Sequence, residues 1–336
     1  MDIQTLLYEL KKYEDSMLTT RRDLHKHAET GWQEYRTTAL LIEKLKEHGI
    51  PVKFGKEIIN KDYLWAYPSE TVRKSAIDRA LNEGADPEII KEMDGFTGLC
   101  AVIETGKPGP MLALRFDIDC NDVTESTDTD RPPVKDGFCS IHDGCMHACG
   151  HDGHASLGLH TCIALNEIKD ELSGTIKVIF QPAEEGEHGA DEVIATGLVS
   201  DVDAFYGLHV WSLYPTGTLH ATPGGIWAEP DMFKVTIHGK GGHGATPEVC
   251  VDAITAGAAV VQSLQTIVSR FISPMDSVVV TVGSFHAGTR CNIIAQDAVL
   301  EGTLRAFDDD VHRRLLEHFR RIITDVSAAY GCTAEI

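Results

Sequence analysis

Met146-His147-Ala148-Cys149-Gly150-His151-Asp152-Gly153-His154 is the stretch from which the rest of the chain can be read. Four potential metal-binding side chains, His147, Cys149, His151 and His154, lie within eight positions, spaced by glycines and an alanine. Cys149 and His151 are two apart, so an extended segment turns both to one side. Thiolate and imidazole are both good ligands for Zn²⁺ or a neighbouring transition metal. Gly150 and Gly153 let the backbone turn sharply and approach an ion. From Asp152 onward Ala155, Leu157, Leu159, Ile163 and Leu165 recur with helical spacing, which predicts a loop entering a helix over 154–169. A lone Cys-x-His is equally compatible with a buried structural cysteine beside satisfied histidines. The flanking chain has to decide.

Strand-like runs at 99–104, 111–118 and 175–180 bracket that helix. Strands alternating with helices indicate an α/β sheet, largely parallel in its core, with ligands gathering beyond the carboxyl ends of its strands. The informative residues fall at those ends. Asp117 and Asp119 close the second run on one face, placed to order a metal ligand from behind or simply to cap the strand. Gln181-Pro182-Ala183-Glu184-Glu185-Gly186-Glu187 follows the third run. Adjacent carboxylates repel unless a cation or proton holds them. Neighbouring residues diverge, so one carboxylate is free to bind metal while the other handles water; a solvated acidic turn is the competing reading. A further strand over 202–208 delivers His209 to the same edge. Thiol, imidazole and carboxylate in consecutive units are the inventory of a hydrolytic metal centre.

Upstream, helices are expected over 2–28 and 36–48. His25 and His27 read as surface or cleft-edge residues. Residues 59–94 read as a charged, mostly helical insertion, a lid or interface excursion without chemistry of its own. After the Gly- and Pro-rich stretch 217–230, the order strand 232–238, helix 251–270, strand 277–285, strand 298–307, helix 310–330, strand 332–336 predicts a ferredoxin-like βαββαβ sandwich. The boundary is placed at 222/223, giving a metal-binding domain over 1–222 and a smaller domain over 223–336. Gly239-Lys240-Gly241-Gly242-His243-Gly244 leaves the first strand of that smaller domain.

With 336 residues the chain has room for two cores. A net charge of −21 argues against nucleic-acid partners. No apolar run reaches the roughly 18 residues of a membrane span. The first residues carry a charged amphipathic pattern without a signal-peptide core. Nine scattered cysteines point to a reducing cytoplasm.

The motifs Leu114-Arg115-Phe116-Asp117-Ile118-Asp119, 146–154, Phe180-Gln181-Pro182-Ala183-Glu184-Glu185-Gly186, Gly207-Leu208-His209, 239–243 and Glu301-Gly302-Thr303-Leu304-Arg305 together resemble the two-metal amidohydrolases that include carboxypeptidase G, aminoacylase, hippurate hydrolase and auxin-conjugate hydrolases. The insertion leading to Gly95-Phe96-Thr97-Gly98 is similar to the branch that contains one of the subunits of aminobenzoyl-glutamate hydrolase. The resemblance implies a zinc-exopeptidase-like α/β fold, a mostly parallel sheet flanked by helices, with an inserted ferredoxin-like dimerisation and lid domain. It implies two divalent ions (Zn, Mn or Co) held by Cys149, His151, Glu185 and His209, with Glu184 as general base and Asp119 orienting a ligand. It also implies that His243 steadies the oxyanion in a partner protomer's site, while Asn292 and Arg305 hold the oxyanion or the free carboxylate of the substrate. The expected reaction is hydrolysis of an N-acyl or aroyl amino acid, p-aminobenzoyl-glutamate first and hippurate-like substrates second, by a homodimer or a heterodimer with a paralogous chain. Members of this family continue past the small domain with a stretch that completes the sheet and adds a last histidine ligand. The expectation is therefore that this chain is a fragment or shortened product, with a non-catalytic dimerisation partner as the alternative.

Overall fold

The computed structural model describes Tyr8 and residues 10–336, so the first part of the helix expected over 2–28 lies outside the described residues. The chain divides into two compact units, Met1–Pro215 and Thr216–Ile336. The first unit runs α1 (Glu14–Lys26), α2 (Tyr35–Glu47), β1 (Val52–Phe54), α3 (Glu70–Asn82), α4 (Pro87–Glu92), β2 (Leu99–Glu104), β3 (Met111–Asp117), α5 (His151–Glu167), β4 (Thr175–Gln181), α6 (Gly189–Ala195) and β5 (Ala204–Gly207). Local chemistry explains the starts. Ser69 and Asp86 accept hydrogen bonds from the first free amides of α3 and α4, and Pro87 fits the first helical position of α4 because it has no amide to leave unpaired.

The sheet order is β1-β2-β4-β3-β5. It is mixed rather than mostly parallel: β3 is parallel to β4 and β5, but β2 is antiparallel to both β1 and β4. The connection from β2 to β3 explains the difference. It spans only residues 105–110, too short for the crossover that two parallel strands require. β3 therefore returns in the opposite direction, one place away, and β4 fills the gap. The segment 59–94 is no peripheral excursion either. Ala76, Ala80, Ile89, Ile90 and Met93 are buried in the same core as Leu41, Ile42 and Leu45 of α2.

Helix α5 lies on the sheet with no side-chain buffer at Gly158, where a Cβ would meet the rings of Phe180 and Phe116 at 2.7 and 2.8 Å. A helical Gly→Ala change ordinarily stabilises by about 1 kcal/mol. Here two strand-borne aromatics would have to move, and overpacking costs about 1–3 kcal/mol. Gly158→Ala is expected to lower the denaturant midpoint; a raised midpoint would show that the helix can lift at no cost.

The second unit comprises β6 (Glu229–His238), β7 (Gly242–His243), α7 (Ala253–Thr266), β8 (Val278–Ala287), β9 (Ile293–Ile294), β10 (Asp297–Ala306), α8 (Asp309–Ala329) and β11 (Thr333–Glu335). Its four-stranded sheet, order β11-β6-β10-β8, is antiparallel throughout, the ferredoxin-like arrangement. Ala256, Val260 and Leu264 of α7 and Leu315, Phe319 and Ile323 of α8 share one core with Val235, Ile237, Ala298 and Leu300 of the strands. Asp252 and Asp308 cap the two helices. A two-stranded ribbon of β7 and β9 is added to this frame.

Candidate metal centre

Because β3 and β4 run side by side in parallel, with Asp117 opposite Gln181, the chain leaving each strand emerges at one edge. The segment after β5 reaches the same place, where α5 also begins. The donor atoms of Cys149, His151 and His209 lie within 4.8 Å of one another, as do those of His151, Glu184 and Glu185, and those of Asp117, His151 and His154. His151 belongs to all three groups. Tetrahedral coordination at about 2.0–2.3 Å needs only a small closure of such a set.

Cys149 and His151 do meet on one side, but not through an extended segment. Gly150 is left-handed (φ 86°) and stands at the N-cap of α5, so the loop turns and the helix starts directly with His151. A side chain at Gly150 would also strike Val210 Cγ2 at 2.5 Å. Asn121 holds the loop, accepting from the Cys149 amide at 3.1 Å. The imidazole of His151 is 1% exposed, its Nδ1 is 3.0 Å from the Asp119 carbonyl and 3.3 Å from Asp119 Oδ1, and its Nε2 is 3.8 Å from Glu185 Oε1. Neither His151 Nε2 nor Glu185 Oε1 makes a hydrogen bond. Burial pushes this imidazole down, but the Asp119 hydrogen bond and the charges of Asp117, Asp119 and Glu185 outweigh it and raise it to about 9. Burial and the Glu185 carboxylate push the Cys149 thiol up to about 12. Glu184 is exposed, and its partial desolvation, then Glu185, Asp117 and Asp119, raise it. A cation relieves all of these at once.

Both Glu184 and Glu185 come within reach of His151. Ala183, just before them, takes a left-handed φ of 54°, so the chain turns as it enters the pair. Asp119 Oδ2 accepts from the Glu185 amide at 2.9 Å, so one aspartate touches both an imidazole and the carboxylate loop.

His154 is the positioning residue that sequence left unassigned. Its Nδ1 donates to Asp117 Oδ1 at 2.5 Å and its Nε2 accepts from the Val210 amide at 2.9 Å. Both nitrogens are committed, so it fixes the segment bearing His209 to the end of β3. The i, i+3 spacing of His151 and His154 on one helix was the available signal. His25 is likewise no surface residue: it is 4% exposed, with Nδ1 3.0 Å from Asp152 Oδ2 and Nε2 3.2 Å from Glu125 Oε1. Its partners lie about a hundred residues or more away, beyond the reach of local sequence reading.

Burial alone would raise Asp152, but the His25 hydrogen bond and the charges of His147 and Arg21 hold it down at about 2. A carboxylate depressed below its unfolded value of about 3.9 adds stability that is present above that pH and lost as pH falls towards 2, on the order of 2 kcal/mol. Asp152→Asn is expected to lower the melting temperature at neutral pH and to flatten its decline between about pH 4 and 2. An unchanged acid slope would contradict this.

In the second unit, the ribbon pairs His243 with Ile293, and the Gly244 amide donates to the Asn292 carbonyl at 2.9 Å, so His243 and Asn292 are neighbours. Both are exposed. Arg305 lies on β10 opposite Val279 and Pro230, exposed between the buried Leu304 and Ala306.

A mixed α/β sheet whose strand ends bring a thiol, imidazoles and paired carboxylates within reach of His151 has the inventory of a hydrolytic metal centre. The model of Peptidase family M20/M25/M40 matches residues 113–327, and the chain belongs to that family. It is 37% identical over 322 residues to the indole-3-acetyl-aspartic acid hydrolase of Enterobacter agglomerans, covering 95% of this chain and 73% of that protein. It is 35% identical over 317 residues to one of the subunits of the p-aminobenzoyl-glutamate hydrolase of Escherichia coli (strain K12), covering 94% and 72%. The structure of the Bacillus subtilis YXEP protein, described as a dinuclear metal-binding peptidase from the M20 family, superposes with a TM-score of 0.71 at 31% identity, covering 97% of this chain and 73% of that one. Among the described residues no helix is long and apolar enough to cross a membrane.

Proposed function

We propose that this chain hydrolyses the amide between an aroyl or acyl group and an amino acid, with p-aminobenzoyl-glutamate as substrate. The observation that carries the reading is that the donor atoms of Cys149 and His209, and those of Glu184 and Glu185, come within 4.8 Å of the same imidazole, that of His151. The names of the two relatives above supply the substrate class: each names the hydrolysis of a conjugate between an aromatic acyl group and an acidic amino acid.

Cys149, His151, Glu185 and His209 fit a divalent ion by donor chemistry and would hold two ions per complete site, Zn or Mn, with Co as a further option. When bound, such ions polarise an amide carbonyl and make water a better nucleophile. Glu184, its pKa raised by partial desolvation and by Glu185, takes the proton from the attacking water and returns it to the leaving amine. Asp119 fixes the ring of His151 and the amide of Glu185. His243 and Asn292 donate to the developing oxyanion, and Arg305 pairs with the free carboxylate of the amino acid. On this reading the ferredoxin-like unit is an inserted lid and dimerisation domain, delivering His243 to a partner protomer, identical or paralogous. All nine cysteines are free thiols, which supports a cytoplasmic enzyme.

A panel of p-aminobenzoyl-glutamate, indole-3-acetyl-aspartate, hippurate and N-acetyl amino acids, compared by kcat/KM with added Zn²⁺ or Mn²⁺, tests the assignment. The highest kcat/KM is expected with the aroyl-glutamate. Equal rates across the panel, or none, would reject it.

A further inference from the structure

The carboxylate pair follows a strained residue, and that residue is bonded to a carboxylate outside the site. Ala183 is left-handed at φ 54°, a conformation that costs a side-chain-bearing residue energy and persists only where its surroundings enforce it. Its amide donates to Glu34 Oε1 at 2.7 Å. Glu34 is 0% exposed, and its other oxygen accepts from the Thr97 hydroxyl at 2.7 Å. Thr97 leads into Gly98, whose amide is bonded to Thr38 Oγ1 at 2.9 Å and which abuts Pro182 so closely that a Cβ there would lie 2.6 Å from its ring. Two residues further along the loop, Asp119 takes the Glu185 amide. The far end closes on itself, with the Gly189 amide donating to the Ala183 carbonyl at 2.9 Å. Glu34 and Asp119 repel each other, and burying Glu34 disfavours its charge. A buried glutamate at a helix start is an expensive way to hold a loop unless the loop conformation itself is what is being held.

We propose that Glu34 is a positioning residue for the metal centre: by binding the Ala183 amide it enforces the left-handed turn that brings Glu184 and Glu185 to the same face of His151. Without it Ala183 relaxes towards an ordinary φ, the two carboxylates diverge, and Glu185 leaves the ligand set. This rests on the metal-centre reading of the proposed function for its consequence, though not for the clamp itself.

The test compares Glu34→Ala, Glu34→Gln and the double variant Glu34→Ala/Ala183→Gly. Two quantities are read: Zn²⁺ affinity by chelator competition, and amide hydrogen exchange of residues 183–189 in metal-free protein. Loss of a partner that orients a ligand typically weakens metal binding about 10–100-fold, so Glu34→Ala should lose that much and exchange faster within 183–189. Glutamine keeps an acceptor for the Ala183 amide and should stay within about threefold of wild type. Glycine adopts a positive φ without strain, so Ala183→Gly should restore most of the affinity that Glu34→Ala loses, without restoring its melting temperature. A purely structural glutamate predicts the reverse: lower melting temperature, unchanged affinity, no rescue. Should Glu34→Ala not fold, Thr97→Val removes the second anchor of the carboxylate, and unchanged exchange at 183–189 would overturn the clamp. A wild-type protein that takes up no Zn²⁺ would remove the metal-centre reading, while the exchange comparison would still decide the clamp.

Discussion

Glu184→Gln is expected to fold, to bind metal as the wild type does, and to turn over about 10²–10⁴-fold more slowly, the range that general acid–base catalysis supplies. Three features of the site lead to this expectation. Glu184 lies with Glu185 within 4.8 Å of His151, so its carboxylate faces the reacting region. Partial desolvation and the neighbouring negative charges of Glu185, Asp117 and Asp119 raise its proton affinity, as a base working near neutrality requires. The proposed ligands Cys149, His151, Glu185 and His209 do not include it, so an isosteric amide leaves them in place. The measurement is kcat beside metal content on the same preparation. Retained turnover would take the base role from Glu184; lost metal would make it a ligand instead.

Replacing His151 has the larger effect on binding. Among the described residues it is the one side chain common to all three donor groups, and its ring is fixed by Asp119 on one edge while the other edge makes no hydrogen bond. His151→Ala should therefore weaken metal binding by more than the roughly 10–100-fold typical of a supporting residue, with activity lost in parallel. The same environment sets a pH dependence. In the metal-free protein His151 is raised to about 9 and the Cys149 thiol to about 12, so at neutral pH both carry protons that a cation must displace. Affinity should rise with pH, approaching two protons released per ion between about pH 6 and 8 and falling towards one above pH 9. Calorimetry in buffers of different ionisation enthalpy counts them. Proton uptake, or none, would contradict the ligand assignment.

The sequence carried the proposed ligand set because its chemistry is local: Cys-x-His, Glu-Glu and a strand-terminal histidine each occupy a few adjacent positions. The strand limits were legible for the same reason, as with Leu99–Glu104, whose apolar run ends where the strand does. What local pattern does not encode is pairing. The antiparallel place of β2 follows from a short connection and from β4 entering between its neighbours, neither of which periodicity reports. His25, Glu34 and His154 were missed or misplaced because their partners, Asp152, Ala183 and Val210, are distant in the chain. The segment 59–94 looked peripheral by its charge, yet Ala76 and Ala80 supply a narrow small-residue face that packs against α2.

The most direct test of the shared metal centre is the absorption spectrum of the cobalt-substituted protein, wild type against Cys149→Ser. A thiolate-to-cobalt charge-transfer band in the wild type, lost in Cys149→Ser, is the predicted result. Cobalt bound without that band, or a band that survives the substitution, would mean that the sulfur of Cys149 and the imidazole of His151 do not serve one ion.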